Sequence, residues 1–206
     1  LAELRVSYRL YEAPFAVLWL AWLAYWIVAA SNVKAVRRRE AFATRFGHVA
    51  LSVLAAALLA FPDRRLPWLD ERFLPPTMAA YWLGLLMLAV GIAFAVWARH
   101  YLGRNWSGTV TVKQNHELIR SGPYRLVRHP IYTGLLLAIL GTAVAFGEWR
   151  GLLAFALLTG SLLLKLRVEE RFMSESFPKE YARYRAEVPA LIPCIGRVRA
   201  TNNVSG

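Results

Sequence analysis

Apolar residues fall along this chain in five blocks, 14–30, 47–61, 77–98, 130–147 and 151–164, and the segments between them hold most of the charge. Ala13 to Ala30 runs eighteen residues without a formal charge, and Thr77 to Ala98 runs twenty-two. As a helix the second stretch is about 33 Å long, against a hydrocarbon core of roughly 30 Å. Gly47 to Phe61 is shorter, at fifteen residues. Pro130–Gly147 and Gly151–Leu164 are separated only by Glu148, Trp149 and Arg150. That spacing predicts a tight helical hairpin, with a glycine on each side of the turn letting the helix ends approach. The pattern as a whole predicts an all-α integral membrane protein with five transmembrane helices.

Composition supports the membrane assignment. With 57% hydrophobic and 18% charged residues among 206, a soluble fold would carry more apolar surface than it could bury, and the charge-rich composition of a disordered chain is absent. Lys and Arg number 25 against 13 Asp and Glu, a formal charge of +12. In a chain this apolar, such a balance predicts basic loops on the cytoplasmic side and no nucleic-acid partner. The segment between the first two blocks sums to +4, the next to zero, 99–129 to +5, the turn at Glu148–Arg150 to zero and the tail from Lys165 to +3. Alternation of positive and neutral segments predicts an N-terminus outside and a C-terminus inside, in the cytoplasmic membrane if the source is prokaryotic. Trp68 and Trp149 are then outer interfacial anchors, and Trp97 and Trp106 inner ones. The head, with Glu3, Arg5, Arg9 and Glu12, has neither the charge nor the small-residue site of a cleaved signal. A single cysteine, Cys194, excludes an internal disulfide and a cysteine-cluster metal site.

Two substantial pieces, 99–129 and 165–206, are thus expected on the cytoplasmic side, and chemistry is expected there. The first ends in the run from His116 to Gly134, which contains Arg128-His129-Pro130. Gly122-Pro123 signals a turn, and Pro130 suits the first turn of the next helix, where its missing N–H costs no bond. Arg128 and His129 then stand before the positive end of that helix, a place that attracts a ligand carboxylate or a lipid phosphate. Tyr132 on the first turn is either an interfacial anchor or a ligand contact. His116 and His129 lie thirteen residues apart, in no metal-ligand spacing, and no metal is expected.

The second piece carries Arg167, Glu170 and Arg171 on one helical face, either solvated or lining a pocket opposite Arg128. Phe177-Pro178 predicts the start of another short helix, with Tyr181 and Tyr184 sharing a face toward the membrane surface or a ligand. Pro189 and Pro193 end regular structure, and 195–206 reads as a tail. One membrane domain is expected over 1–206, with 1–98 as membrane helices and 99–194 as the catalytic core.

From Leu102 to Cys194 the chain resembles the isoprenylcysteine carboxyl methyltransferases and the related membrane phospholipid methyltransferases. The likeness rests on His116-x-Leu118, Gly122-x-Tyr124, Arg128-His129-Pro130-x-Tyr132-x-Gly134, Arg167-x-Glu169-Glu170, Phe177 with Tyr181 and Tyr184, and Val188-Pro189 before Ile192-Pro193. Where the family usually has glycine after the phenylalanine, this chain has Pro178. The resemblance implies an enzyme that takes a methyl group from S-adenosyl-L-methionine, releases S-adenosyl-L-homocysteine, and receives a lipophilic acceptor from the bilayer. It implies a cofactor pocket of His116, Leu118, Gly122, Tyr124, His129, Tyr132, Glu170, Tyr181 and Tyr184. It places Arg128, Arg167 and Glu170 at the acceptor and methyl-transfer centre. The implied reaction is carboxyl O-methylation of an isoprenylcysteine-like thioether acid. Three other classes share parts of the pattern: a phospholipid N-methyltransferase, an NADPH-dependent membrane sterol reductase and a noncatalytic lipid-binding protein.

Overall fold

A computed structural model describes residues 2–30, 36–39, 42–60, 68–103, 111–113 and 118–193. The elements run α1 (Ala2–Ala30), β1 (Val36–Arg39), α2 (Phe42–Ala60), α3 (Met78–Leu102), β2 (Thr111–Lys113), a 3-10 turn (Gly122–Arg125), α4 (Pro130–Phe146), α5 (Trp149–Ser176) and α6 (Pro178–Glu187). His116, Trp106 and the tail at 195–206 lie outside the described residues.

Local chemistry sets several of these boundaries. Thr77 caps α3 by accepting the Ala80 amide at 3.1 Å, satisfying one of the first-turn donors that lack a helical partner. Pro130 and Pro178 open α4 and α6, where a fixed φ helps and a missing donor costs nothing. Gly147 ends α4 at φ 64°, its amide bonded to Ala143 O at 2.8 Å, in the left-handed conformation that glycine adopts without a Cβ clash.

The expectation of five membrane-crossing helices is overturned. Among the described residues three helices are long and apolar enough to cross: Tyr11–Ala29, Met78–Leu102 and Trp149–Ser176. Arg45–Ala60 and Pro130–Phe146 are shorter apolar helices, about 24 and 26 Å long at the α-helical rise. The physical reason is that an apolar block reports burial, and burial against protein reads like burial in lipid. Ten of the seventeen α4 residues are buried inside the protein, against six of the twenty-five in α3. The helix of the block from Gly151 continues past Leu164 to Ser176, in agreement with the helical face expected for Arg167, Glu170 and Arg171.

Packing explains where α4 sits. Gly141 lies so close to α3 that a Cβ there would meet Gly84 O at 2.6 Å and Leu88 N at 2.7 Å, so small residues let the two backbones touch. On its other side α4 meets α5, and α2 is tied to α5 by Ser52 Oγ to Ser161 Oγ at 2.8 Å and by Ser161 Oγ donating to His48 O at 2.6 Å. α1 leans on this body through Phe15 against Tyr81 and Phe146 and through Trp19 Nε1 donating to Thr142 Oγ1 at 3.2 Å.

The helix ends gather into two groups. At one, Arg99 donates to Gly103 O at 2.7 Å and to Ala29 O at 2.5 Å, capping α3 and α1 together with a cation at their negative ends. There too β1 and β2 pair antiparallel, with Val36 opposite Lys113 and Arg39 opposite Thr111. At the other end, Phe73 N bonds Gly147 O at 2.7 Å and Arg150 N bonds Leu69 O at 3.1 Å. Trp68 and Trp149 are exposed there.

Candidate functional site

The site is built at the first of these ends from three short stretches: the turn before α4, the last turns of α5, and α6 with the residues after it. Val188 leaves α6 in an extended conformation, and the non-helical segment that follows offers its carbonyls to the α4 entrance. Arg128 N donates to Pro189 O at 2.8 Å, His129 N to Ala190 O at 3.0 Å and Thr133 Oγ1 to Leu191 O at 2.6 Å. This stitching fixes Arg128 and His129 before Pro130.

Arg128 is then closed onto α5. Its Nε and Nη2 donate to Glu170 Oε1 at 2.9 and 2.6 Å, and its Nη1 donates to Val188 O at 2.5 Å and Arg185 O at 3.3 Å. The two side chains are only 10% and 12% exposed, so the pair is desolvated and geometrically specific. Glu170 also faces His129 Nε2 at 3.4 Å and Arg185 Nε at 3.6 Å. Its neighbour Glu169 accepts the Tyr132 hydroxyl at 2.5 Å and faces His129 Nδ1 at 3.4 Å. His129 thus bridges both carboxylates and stacks on Tyr132, with ring centroids 5.4 Å apart and planes within 9°. Burial pulls the imidazole down, but its hydrogen bonds to Glu169 and Glu170 and their charges outweigh that and hold it above its ordinary value.

Tyrosines complete the wall. Tyr184 donates to Tyr124 O at 2.6 Å and meets Tyr181 edge-on. Burial raises the phenols of Tyr124, Tyr181 and Tyr184 above their ordinary value, which keeps them as neutral hydroxyl donors at physiological pH. Gly122 adopts φ +57° with the Tyr101 ring against its α-carbon, a conformation and a closeness that only glycine tolerates.

These groups open onto a cavity of about 1020 Å³. Leu118, Tyr124, Arg128, His129, Tyr132, Tyr181 and Tyr184 line it, with Glu169 and Lys165. Away from this head the lining turns apolar and aromatic, with Trp19, Trp22 and Trp26 of α1 opposite Leu135, Ile139, Leu158 and Leu162 of α4 and α5. Glu170 stands behind Arg128 and His129, and Gly122 supports the wall. Arg167 lies on the exposed face of α5 and does not line the cavity. His116 lies outside the described residues. Among the described residues no group of three His, Cys, Asp or Glu side chains is placed to hold a metal ion.

Sequence reasoning gave no site role to Lys165, to the tryptophans of α1 or to Glu169, although Glu169 stands in the Arg167-x-Glu169-Glu170 motif. Their signals were present: Lys165 and Glu169 are four apart on one helix, and Trp19, Trp22 and Trp26 repeat at three and four, which puts them on one face. Nothing local says that this face lines a cavity.

A family model described as phospholipid methyltransferase matches residues 79–180. The chain is 32% identical over 145 residues to a probable protein-S-isoprenylcysteine O-methyltransferase of Oryza sativa subsp. indica, covering 67% of this chain and 76% of that protein. It is 35% identical over 121 residues to the cobalt-zinc-cadmium resistance protein CzcN of Cupriavidus metallidurans, covering 57% and 54%. Its fold is similar to the solved structure of the eukaryotic intramembrane Ras methyltransferase ICMT, with a TM-score of 0.51 at 23% identity over 72% of this chain. The likeness spans about half of that solved chain, 53%.

Proposed function

The chain belongs to the isoprenylcysteine O-methyltransferase family of S-adenosylmethionine-dependent membrane enzymes, and from that premise we propose that it methylates the carboxylate of an isoprenylcysteine-like thioether acid. The observation that carries the acceptor class is the cavity: a polar, aromatic head continuous with an apolar, tryptophan-lined body. Such a shape suits a molecule with a charged end and a hydrocarbon tail, because each part is desolvated only where its own chemistry is met.

The head also fits the methyl donor. Glu169 lines the cavity as a hydrogen-bond acceptor, which suits an amine or a ribose hydroxyl, and Glu170 holds Arg128 and His129 behind it. The neutral tyrosine rings offer faces that attract an onium cation. Tyr124, His129, Tyr132, Tyr181 and Tyr184 are the residues proposed to hold it, with Leu118 and Gly122 shaping the wall and His116 joining them by motif. When bound, S-adenosylmethionine supplies an electrophilic methyl group on a sulfonium.

Transfer to a carboxylate forms one C–O bond and breaks one C–S bond, leaving a methyl ester and a neutral thioether. An ionised carboxylate needs no base. The chain's task is therefore to align the acceptor and to exclude water. Arg128 and Glu170 do the first by locking the α4 entrance to α5, so that His129 and Tyr132 are fixed before any ligand arrives; Arg128 is in this sense a positioning residue. Exclusion of water falls to the apolar body. Arg167, which the family motif places at the transfer centre, projects outward here and is proposed to meet the acceptor's exposed portion or lipid.

The site end is proposed to face the cytosol. The described parts of three segments with net positive charge meet there, since Arg99 ties α1 to α3 and β1 pairs with β2, while 68–76, which sums to −1, and the neutral turn at 147–150 meet at the other end. Segregation of Lys and Arg to one side is the signature of the cytoplasmic face.

The test is transfer of labelled methyl from S-adenosylmethionine to three acceptors: a prenyl thioether acid such as S-farnesyl acetylcysteine, its amide, and an aminophospholipid. The acid alone is expected to be labelled. Labelling of the amine lipid alone would defeat the carboxyl reading and leave a phospholipid N-methyltransferase.

A further inference from the structure

We infer that Lys165 receives the acceptor's carboxylate and thereby makes the enzyme choose acids over amines, an inference that rests on the carboxyl-acceptor reading above. Among the described residues the Lys and Arg side chains that line the cavity are Arg128, Arg150 and Lys165. Arg150 stands at the far end, paired with Asp70 and with Glu148. Arg128 stands at the head, but four of its five N–H groups are directed to Glu170 and to the carbonyls of Val188 and Arg185. A carboxylate that took its fork would have to displace Glu170 and deprive that buried charge of its two shortest hydrogen bonds, a costly exchange.

Lys165 is placed differently. It leaves α5 one turn before Glu169 and is 17% exposed, with Nζ 3.9 Å from Glu169 Oε1 and 5.6 Å from the Tyr132 ring centroid. Glu169 is shared, since it also accepts the Tyr132 hydroxyl and faces His129. Lys165 therefore sits between the polar head and the apolar body, where the charged end of an amphiphile meets its tail.

Charge balance points the same way. Around the head, Arg128, Lys165 and Arg185 stand against Glu169 and Glu170, an excess of one positive charge with His129 neutral and of two with it protonated. An entering carboxylate offsets that excess. An ammonium adds to it, and in surroundings of low dielectric the difference decides which acceptor is admitted.

The experiment uses the full chain in detergent, as wild type, Lys165→Met, Lys165→Gln and Lys165→Arg. Steady-state transfer is measured on the prenyl thioether acid and on phosphatidylethanolamine, and S-adenosylhomocysteine affinity is measured by titration calorimetry. Both neutral variants are expected to raise KM for the acid by about 10-fold or more, the scale of one lost charge-assisted contact. S-adenosylhomocysteine affinity is expected to stay within roughly 2-fold, and Lys165→Arg to recover most of the loss by retaining the charge. An unchanged KM in folded neutral variants of an enzyme that methylates the acid overturns the assignment of Lys165 and leaves the carboxyl reading intact. A parallel loss of S-adenosylhomocysteine affinity also overturns it, by placing Lys165 against the cofactor. A wild type active only on phosphatidylethanolamine overturns the carboxyl reading itself.

Discussion

The two ends of the helix body are each tied by an arginine and a pair of carboxylates, and they differ in what surrounds the tie. At the end away from the site Arg150 pairs with Asp70 and Glu148, and the same chain segments are already joined through backbone bonds from Phe73 to Gly147 and from Arg150 to Leu69. At the site end Arg128 and Glu170 are joined by two hydrogen bonds and carry His129, Tyr132 and Glu169 with them. Arg150 with Asp70 and Glu148 leaves an excess of negative charge, whereas Lys165 and Arg185 beside Arg128, Glu169 and Glu170 turn the balance at the site positive. Similar residues therefore serve as a fastener where backbone bonds join the same segments, and as part of a site where the backbone bonds run instead to Pro189 and Ala190 and the tie to α5 is made by side chains, Arg128 to Glu170 and Tyr132 to Glu169.

Removing the tie at the site end is expected to have the largest effect. Arg128→Ala strands Glu170 in a largely buried place, and breaking such a pair costs about 3–5 kcal/mol. Thermal unfolding in detergent is expected to fall accordingly, and S-adenosylhomocysteine binding to be lost with it; unchanged binding would show that the α4 entrance holds its shape without the arginine. Asp70→Asn probes the other end. Asp70 is a third exposed, and the backbone bonds remain, so a loss of about 1 kcal/mol or less is expected with methyl transfer intact. A loss as large as that of Arg128→Ala would erase the contrast between the ends.

The smallest effect is a pH dependence. His129 is held above its ordinary value in the folded protein, so the protonated form binds its proton more tightly folded than unfolded. Its contribution to stability is fully present below about pH 6.5, the unfolded value, and is lost as pH rises through the raised folded value. Unfolding midpoints measured from pH 6 upward are expected to decline in the wild type and to decline less in His129→Gln. Parallel curves would mean that the imidazole is neutral in the folded site.

Much of this site was legible in the chain because its signals are local. Pro130 and Pro178 mark helix starts, Gly122-Pro123 marks a turn, and their spacing brings Arg128, His129 and Tyr132 to one helix entrance whatever the rest of the fold does. Loop charges mark one face as basic in the same way, since they depend on counts and not on contacts.

Other properties belonged to tertiary structure alone. Whether an apolar block crosses lipid or is wrapped by protein depends on its neighbours, and α4 reads as a span only because α3 and α5 bury it. Arg128 and Arg167 look equivalent in sequence, yet one turns inward to Glu170 and the other outward, because the face of α5 that meets α4 is set by packing. Glu169 and Glu170 are adjacent, and only the position of His129 between them makes both part of one network. Lys165 acquires a role because the cavity happens to open beside it. Local propensities fix where elements begin and end, but the sense of a side chain, toward lipid, partner or cavity, is decided by contacts between residues far apart in the chain.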